Sequence, residues 1–289
     1  MQQAAQDNRA PGAGPLKTLV VCVDDFGYDG QVDDSILALA RQGRVSATSV
    51  LVDAPRWPAD AAALASLGDR LDVGLHLNLS ESFAAGPRQL EWRSLVLRAY
   101  LGGLRREAMR REIARQLDAF EAGFGRAPDF VDGHRHVHQL PVVREALIEE
   151  LAARYSGPRK PWLRRTTPAH DACASTGERF KAWVIGALGA GGLSRLARGA
   201  GFPQNRHLLG VYGFAGSRAE HEARLARWLA AAGEGDVLMC HTALPGGVNA
   251  ADPIASARVV EHEVLASPGF GQMLQQAGVR VGRLARAAG

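Results

Sequence analysis

The sequence predicts an α/β fold: a (β/α) barrel of about seven strands, distorted or incomplete, with a helical insertion. Three observations predict it. Short β-branched apolar runs alternate with amphipathic, charged stretches along most of the 289 residues, as in consecutive βα units. Three of those runs end in metal-binding side chains: Val20-Val21-Cys22-Val23 in Asp24-Asp25, Val73-Gly74-Leu75 in His76, and Phe130-Val131-Asp132-Gly133 in His134-Arg135-His136-Val137-His138. Parallel α/β folds place their ligand site at the carboxyl ends of strands, so these side chains are delivered to one face. The length, finally, suits one barrel domain over residues 17–285.

In order, the pattern predicts a strand at 18–24, a helix at 30–43, a strand at 45–52, a helix at 57–68 and a strand at 71–77. A long connection at 80–104, of the kind that covers a site, precedes a charged amphipathic helix at 105–124. A strand at 128–133 follows, then a helix opened by Pro141 and running to Arg154, then a short strand, Trp162-Leu163-Arg164. Residues 173–207 break this rhythm. Between 178 and 198, Phe180, Trp183, Val184, Ile185, Leu188, Leu193 and Leu196 are interrupted by four glycines, which reads as an insertion. The βα order resumes with a strand at 208–212, a helix at 217–232, a strand at 236–241, helices near 257–276 and a last strand near 278–282.

Charge gives no support to nucleic-acid binding. The 34 Lys and Arg against 30 Asp and Glu include no basic block interleaved with aromatics, and stretches such as Arg105–Glu112 alternate sign like a solvated helix face. Three cysteines cannot all pair internally, and Cys22 and Cys240 fall in predicted buried strands, which fits a reducing compartment. Residues 1–16 read as a disordered leader without the apolar core of a signal peptide, and no run approaches a membrane span. The expectation is a cytoplasmic protein that does not cross a membrane.

The residues at the strand ends suggest a catalytic metal. Adjacent carboxylates on an extended backbone point in different directions, so one of Asp24 and Asp25 can ligate while the other takes a proton. His76 faces away from Leu75 and Leu77. His134, His136 and His138 would share a face if extended, but not all can be ligands if a position stays open for water. His134 is assigned to the metal, His136 and His138 to supporting or substrate-facing roles, and Asp132 to orienting a ligand histidine. His241, ending a later strand, suits a general acid. Arg164 is placed to pair with Asp24 and hold it ionised. Asn78 is a substrate-contact candidate, as are, more weakly, Arg165, Asn205 and His207. One Asp with two His suits Zn, Co, Ni or Fe(II) better than Mg, with zinc first.

These segments resemble the YdjC-like carbohydrate deacetylase family, which includes chitooligosaccharide deacetylases and a hopanoid-associated branch. Val23-Asp24-Asp25-Phe26-Gly27, Gly74-Leu75-His76-Leu77-Asn78-Leu79, the 132–138 segment followed by Pro141, and Met239-Cys240-His241 look like the family's four site segments in order. The resemblance implies a TIM-like or distorted barrel that hydrolyses the acetamide of an N-acetylated amino sugar. It implies one divalent metal, Zn first and Mg among the alternatives, on Asp25, His76 and His134, with Asp24 as general base. A homodimer is the family default. Thr242 stands where the family often carries Pro, and 173–207 looks unlike the chitooligosaccharide branch. The insertion's apolar residues suggest an entrance for a lipid-linked acetamido sugar, beside the plainer reading of a helix packed on the barrel. Two other readings compete. An amidohydrolase or phosphoesterase would carry its His-x-His pair on the first strand, where this chain has Asp24-Asp25, and a non-catalytic sugar- or metal-binding protein would keep the metal without turnover.

Overall fold

The computed structural model describes residues 15–83, 89–246 and 251–284, so nearly all of the predicted leader lies outside the described residues. The strands are β1 (Lys17–Phe26), β2 (Ala47–Val50), β3 (Asp72–Leu77), β4 (Phe130–Gly133), β5 (Trp162–Leu163), β6 (Leu208–Leu209), β7 (Asp236–Cys240) and β8 (Val279–Val281). They form one parallel sheet in the order β5-β4-β3-β2-β1-β7-β6, with β8 added to β1. The outermost strands, β5 and β6, share no ladder. Isolated bridges tie Leu163 of β5 to Gln204 and Leu208 of β6 to Pro168, and the curled sheet is a half-barrel of distorted TIM-like form.

The helices are α1 (Gly30–Arg41), α2 (Ala61–Ala65), α3 (Trp92–Tyr100), α4 (Arg106–Phe124), α5 (Val143–Arg154), α6 (Thr176–Ala187), α7 (Ala190–Gly199), α8 (Arg218–Ala231), α9 (Ala255–Ala266) and α10 (Pro268–Ala277). Their ends follow local chemistry. The Asp29 carboxylate accepts from the Val32 amide to start α1, and Ser175–Glu178 and Ser217–Glu220 form capping boxes on α6 and α8. The helix expected at 57–68 is shorter, and the connection at 80–104 contains α3, while 84–88 fall outside the described residues. The strand expected at 208–212 stops after two residues because Gly210, at φ 91°, turns the chain where a Cβ would lie 2.1 Å from the Met239 carbonyl oxygen.

Period two sorts the sheet's side chains into two cores. Leu19, Val21, Val23, Leu75, Val131, Leu163 and Leu238 face the helices, while Val20, Cys22, Ala47, Phe130, Trp162, Val237 and Met239 fill the barrel. Gly74 leaves room inside for Phe130, which stacks on Trp162 at 4.2 Å; a Cβ on Gly74 would lie 2.6 Å from the Phe130 ring. Continuing each inward column toward the carboxyl end replaces apolar residues with polar ones: Asp24 above Cys22, Ser49 above Ala47, His76 above Gly74, Asp132 above Phe130, Arg164 above Trp162 and His241 above Met239. The upper end of the barrel core is therefore a polar tier.

The segment 173–207 divides. Helix α7 buries Ala190, Leu193, Ser194 and Ala197 and packs beside α5 as a barrel helix does. Helix α6 buries none of its residues and lies along the mouth above the tier. No helix among the described residues is long and apolar enough to cross a membrane.

Candidate functional site

A cavity of about 390 Å³ opens over the tier. Asp24, Asp25, His76, His134, His136 and His241 line it, together with Glu81, Lys181, Tyr212, Phe214, Asp252 and Arg258. Asp132, Arg164, His138, Asn78, Arg165, Asn205 and His207 are not among the residues that line it.

Arg164 organises the inner wall. Fully buried, it donates to both Asp24 oxygens at 2.6 and 2.7 Å and pairs with Asp132 Oδ2 at 2.7 Å. Burial alone would raise the Asp24 carboxyl, but the guanidinium holds it well below the usual carboxylate range. Arg164 also explains a second group of donors, Cys22, Asp24 and Asp132: its Nη2 lies 2.9 Å from Cys22 Sγ, so the cation in that group is a guanidinium. The thiol of Cys22 is pushed up by burial.

Asp25 breaks the strand's alternation with a left-handed φ of 74°. Its Oδ1 lies 3.4 Å from His76 Nε2 and 3.2 Å from His134 Nδ1, while Arg258 Nη2 donates to Oδ2 at 2.7 Å. On the far side of His76, Nδ1 meets Asp132 Oδ1 at 2.6 Å and Ser49 Oγ at 3.0 Å. Burial opposes charge on His76, yet Asp132, Asp25 and Asp24 together raise it to about 10. His134 is likewise raised, against burial, by Asp25 and Glu81.

One carboxylate oxygen and two imidazole nitrogens, from Asp25, His76 and His134, lie within 4.8 Å of one another. This donor set fits a Zn-type divalent ion, and the Asp132 contact behind His76 is the usual orienting partner of a ligand histidine.

The remaining histidines separate by environment. His241 Nε2 is 4.0 Å from Asp24 Oδ2; its Nδ1 has no partner among the described residues, Phe214 packs edge-on at 5.1 Å, and burial pushes the ring down to about 4. The His241 amide donates to Glu261, which also accepts from the Tyr212 hydroxyl at 2.6 Å and is raised by burial to about 7. After Gly133 the chain forms a 3-10 turn with Arg135 and His136 at φ 52° and 60°, so the three histidines do not share an extended face. His136 lines the cavity and burial keeps it neutral, whereas His138 points inward, donates from Nε2 to the Arg164 carbonyl at 2.9 Å and is held near 4 by burial.

Asn78 shapes a turn. Its carbonyl oxygen accepts from the Ser80 and Glu81 amides and its NH2 donates to the Glu81 carbonyl, which brings Glu81 Oε2 to 3.4 Å from His134 Nε2. The Asn205 side chain accepts from the Arg165 amide and donates to the Arg165 carbonyl, and His207 sits beside Asp236. Sequence reasoning missed Glu81, Arg258, Asp252, Tyr212 and Phe214. Only Glu81 had a readable signal, the Asn78-Leu79-Ser80-Glu81 turn.

A parallel (β/α) barrel with carboxylate and imidazole donors converging at its strand ends defines the class to which the chain belongs. The YdjC-like protein family matches residues 18–276, and the chain is a member of that family. It is 37% identical over 154 residues to a carbohydrate deacetylase of Mus musculus, an alignment covering 49% of each chain. The match thus spans about half the length of that relative. Against a chitooligosaccharide deacetylase of Yersinia enterocolitica it is 27% identical over 279 residues, 92% of this chain and 97% of the other. A solved structure from Enterococcus faecalis, described as a candidate cellobiose-phosphate cleavage protein, superposes with a TM-score of 0.67 at 20% identity, covering 94% of this chain and 99% of that one. That likeness bears on the fold alone.

Proposed function

We propose that the chain removes the N-acetyl group from an N-acetylated amino sugar by metal-dependent hydrolysis. The observation that carries this reading is the division of labour between neighbouring carboxylates. Asp25 turns toward His76 and His134, while Asp24 is held ionised by Arg164 at the cavity floor, 4.0 Å from His241. The names of the mouse and Yersinia relatives support the substrate class.

Zinc is the metal we favour on Asp25, His76 and His134, where it would bring the pKa of water to about 7 and polarise the acetyl carbonyl. Asp24 accepts a proton from the attacking water as the water oxygen bonds to the carbonyl carbon. The carbon–nitrogen bond then breaks, and the leaving nitrogen needs a proton, because an amide anion is a poor leaving group. His241 is neutral at rest, so it can deliver a proton only after receiving one, and Asp24 is its neighbour. The products are acetic acid and the sugar amine, and the acid's proton passes to the amine to leave acetate and the ammonium form.

The cavity walls favour a sugar carried on an apolar anchor, such as a hopanoid or other isoprenoid glycoside. Val184, Ile185, Leu188, Val211, Met239 and Ile254 line the cavity together with the polar tier. The exposed large hydrophobics, Leu97, Tyr100, Leu101, Phe180 and Trp183, all lie on or beside α3 and α6, the helices that also contribute Trp92 and Val184 to the wall. The buried, unpaired thiols of Cys22 and Cys240 support a cytoplasmic location.

The test is acetate release from N-acetylglucosamine oligomers and from a lipid-linked acetamido sugar, using protein of measured metal content. Faster release from the lipid-linked substrate is expected. No release from either at stoichiometric metal would overturn the deacetylase reading, and equal specificity for both would remove the lipid anchor from it.

A further inference from the structure

We infer that Arg258 is a positioning residue that makes Asp25 a one-oxygen ligand and thereby keeps room at the metal centre for water and substrate. The inference rests on the metal reading above, but concerns a residue on α9, far along the chain from every ligand.

Its first support is the way Asp25 is held. A left-handed backbone is unfavourable for a residue with a side chain and persists where the surroundings over-determine it. At Asp25 the surroundings are two histidines on one oxygen and a guanidinium on the other: Oδ1 faces His76 and His134, while Oδ2 accepts from Arg258 Nη2 at 2.7 Å. A carboxylate with one oxygen engaged in this way has only the other to offer. Freed of the guanidinium, the same carboxylate could chelate with both oxygens and fill a position that hydrolysis needs open.

The second support is how firmly Arg258 is itself fixed. It is only 2% exposed, its Nε donates to Asp252 Oδ2 at 2.6 Å, and its guanidinium lies over the Tyr28 ring at 5.2 Å. Asp252 is anchored in turn, its other oxygen accepting from the Ile254 amide at 3.1 Å. The Arg258 carbonyl accepts from the Ala243 amide at 3.1 Å, which ties the same helix turn to the loop that follows His241. One fork therefore serves two carboxylates, a geometry a lysine ammonium does not reproduce. The guanidinium charge also offsets that of Asp25, which leaves a bound cation a stronger Lewis acid than it would be beside a free carboxylate.

The experiment loads the full-length protein with Co(II), whose visible absorption is strong in four-coordinate sites and weak in six-coordinate ones. Wild type, Arg258→Lys, Arg258→Met and Asp252→Asn are compared for that spectrum, for Co(II) affinity by titration, and for fold by circular dichroism. In folded Arg258→Lys and Arg258→Met proteins the band is expected to weaken and shift as Asp25 supplies its second oxygen, with kcat falling about 10–100-fold and KM little changed. Asp252→Asn, which keeps the guanidinium, should shift the band in the same direction by less, and it carries the test if the Arg258 variants do not fold. A wild-type spectrum in the folded variants would overturn the inference while leaving the metal reading intact. Failure of the wild type to take up Co(II) would instead overturn the metal reading, and this inference with it.

Discussion

Replacing Asp24 by Asn separates the two carboxylates and tests the chemistry most directly. The side chain keeps its shape but can no longer accept a proton. The bonds from Arg164 to Asp24, at 2.6 and 2.7 Å, are charge-assisted, and each contributes roughly 1.5–3 kcal/mol. An asparagine retains one acceptor and turns its NH2 against the other guanidinium N–H, so one bond is lost and two donors face each other. Arg164 still holds Asp132 at 2.7 Å and is not orphaned. The expected loss of stability is about 2–4 kcal/mol, at or below the 3–5 kcal/mol typical of removing a buried ion's partner. Turnover should fall by about 10²–10⁴, the usual contribution of a general base, equivalent to about 2.7–5.4 kcal/mol in the barrier. Metal content should not change, because Asp24 is outside the ligand trio. Acetate release, metal analysis and a urea titration on the same preparation measure all three quantities. Turnover within tenfold of wild type would refute the base assignment, and loss of metal from a folded variant would refute the division between Asp24 and Asp25.

Asp25→Ala should give the complementary result, a folded protein whose affinity for zinc is weaker by more than about 100-fold, seen as loss of metal on dialysis. His221, packed against Tyr212 and Trp228, is pushed by burial from the ordinary 6.5 down to about 4. Between those values the unfolded chain binds a proton that the folded one does not. The His221 contribution is therefore fully present above pH 6.5 and lost as pH falls toward 4, by about 3 kcal/mol at most. His221→Phe should flatten the pH dependence of the denaturant midpoint in that window, and an unchanged slope would discount the shift. The double variant Phe180→Ser with Trp183→Ser alters two side chains that are each 63% exposed, so stability should stay within about 0.5 kcal/mol. The same variant should raise KM for a lipid-linked substrate at least tenfold while leaving a soluble oligosaccharide unaffected; equal changes for both would show that these residues do not meet an apolar anchor.

The strand ends were readable because both pieces of information are local. An apolar run fixes the strand, and alternation of two fixes which side chains face inward, so Asp24, His76, Asp132 and Arg164 follow from parity alone. His134, His136 and His138 were harder to place because the strand stops at Gly133 and the next turn uses left-handed conformations at Arg135 and His136, which parity does not cover. Arg258 and Asp252 were invisible because nothing near them in sequence marks them. Arg258 sits in a helix where arginine is ordinarily solvated, and only the packing of α9 beside α1 and α8 brings it to Asp25. The barrel was legible as a series of βα units, but the ties at its outermost strands were not, because they are isolated bridges to Gln204 and Pro168 in segments without strand pattern.

Helix α6 contributes wall to the cavity yet buries none of its own residues. Its outward residues, such as Phe180 and Trp183, are free of core packing, whereas Ala182 and Ile185 rest on the inner core and Glu178 pairs with Arg224 and Arg227. If the proposed function holds, the catalytic groups lie in the barrel tier, while part of the wall a substrate would meet is laid over its rim. On the proposed reading, changes to the outward residues of this one helix would alter what the cavity admits while leaving the donor set at the strand ends untouched.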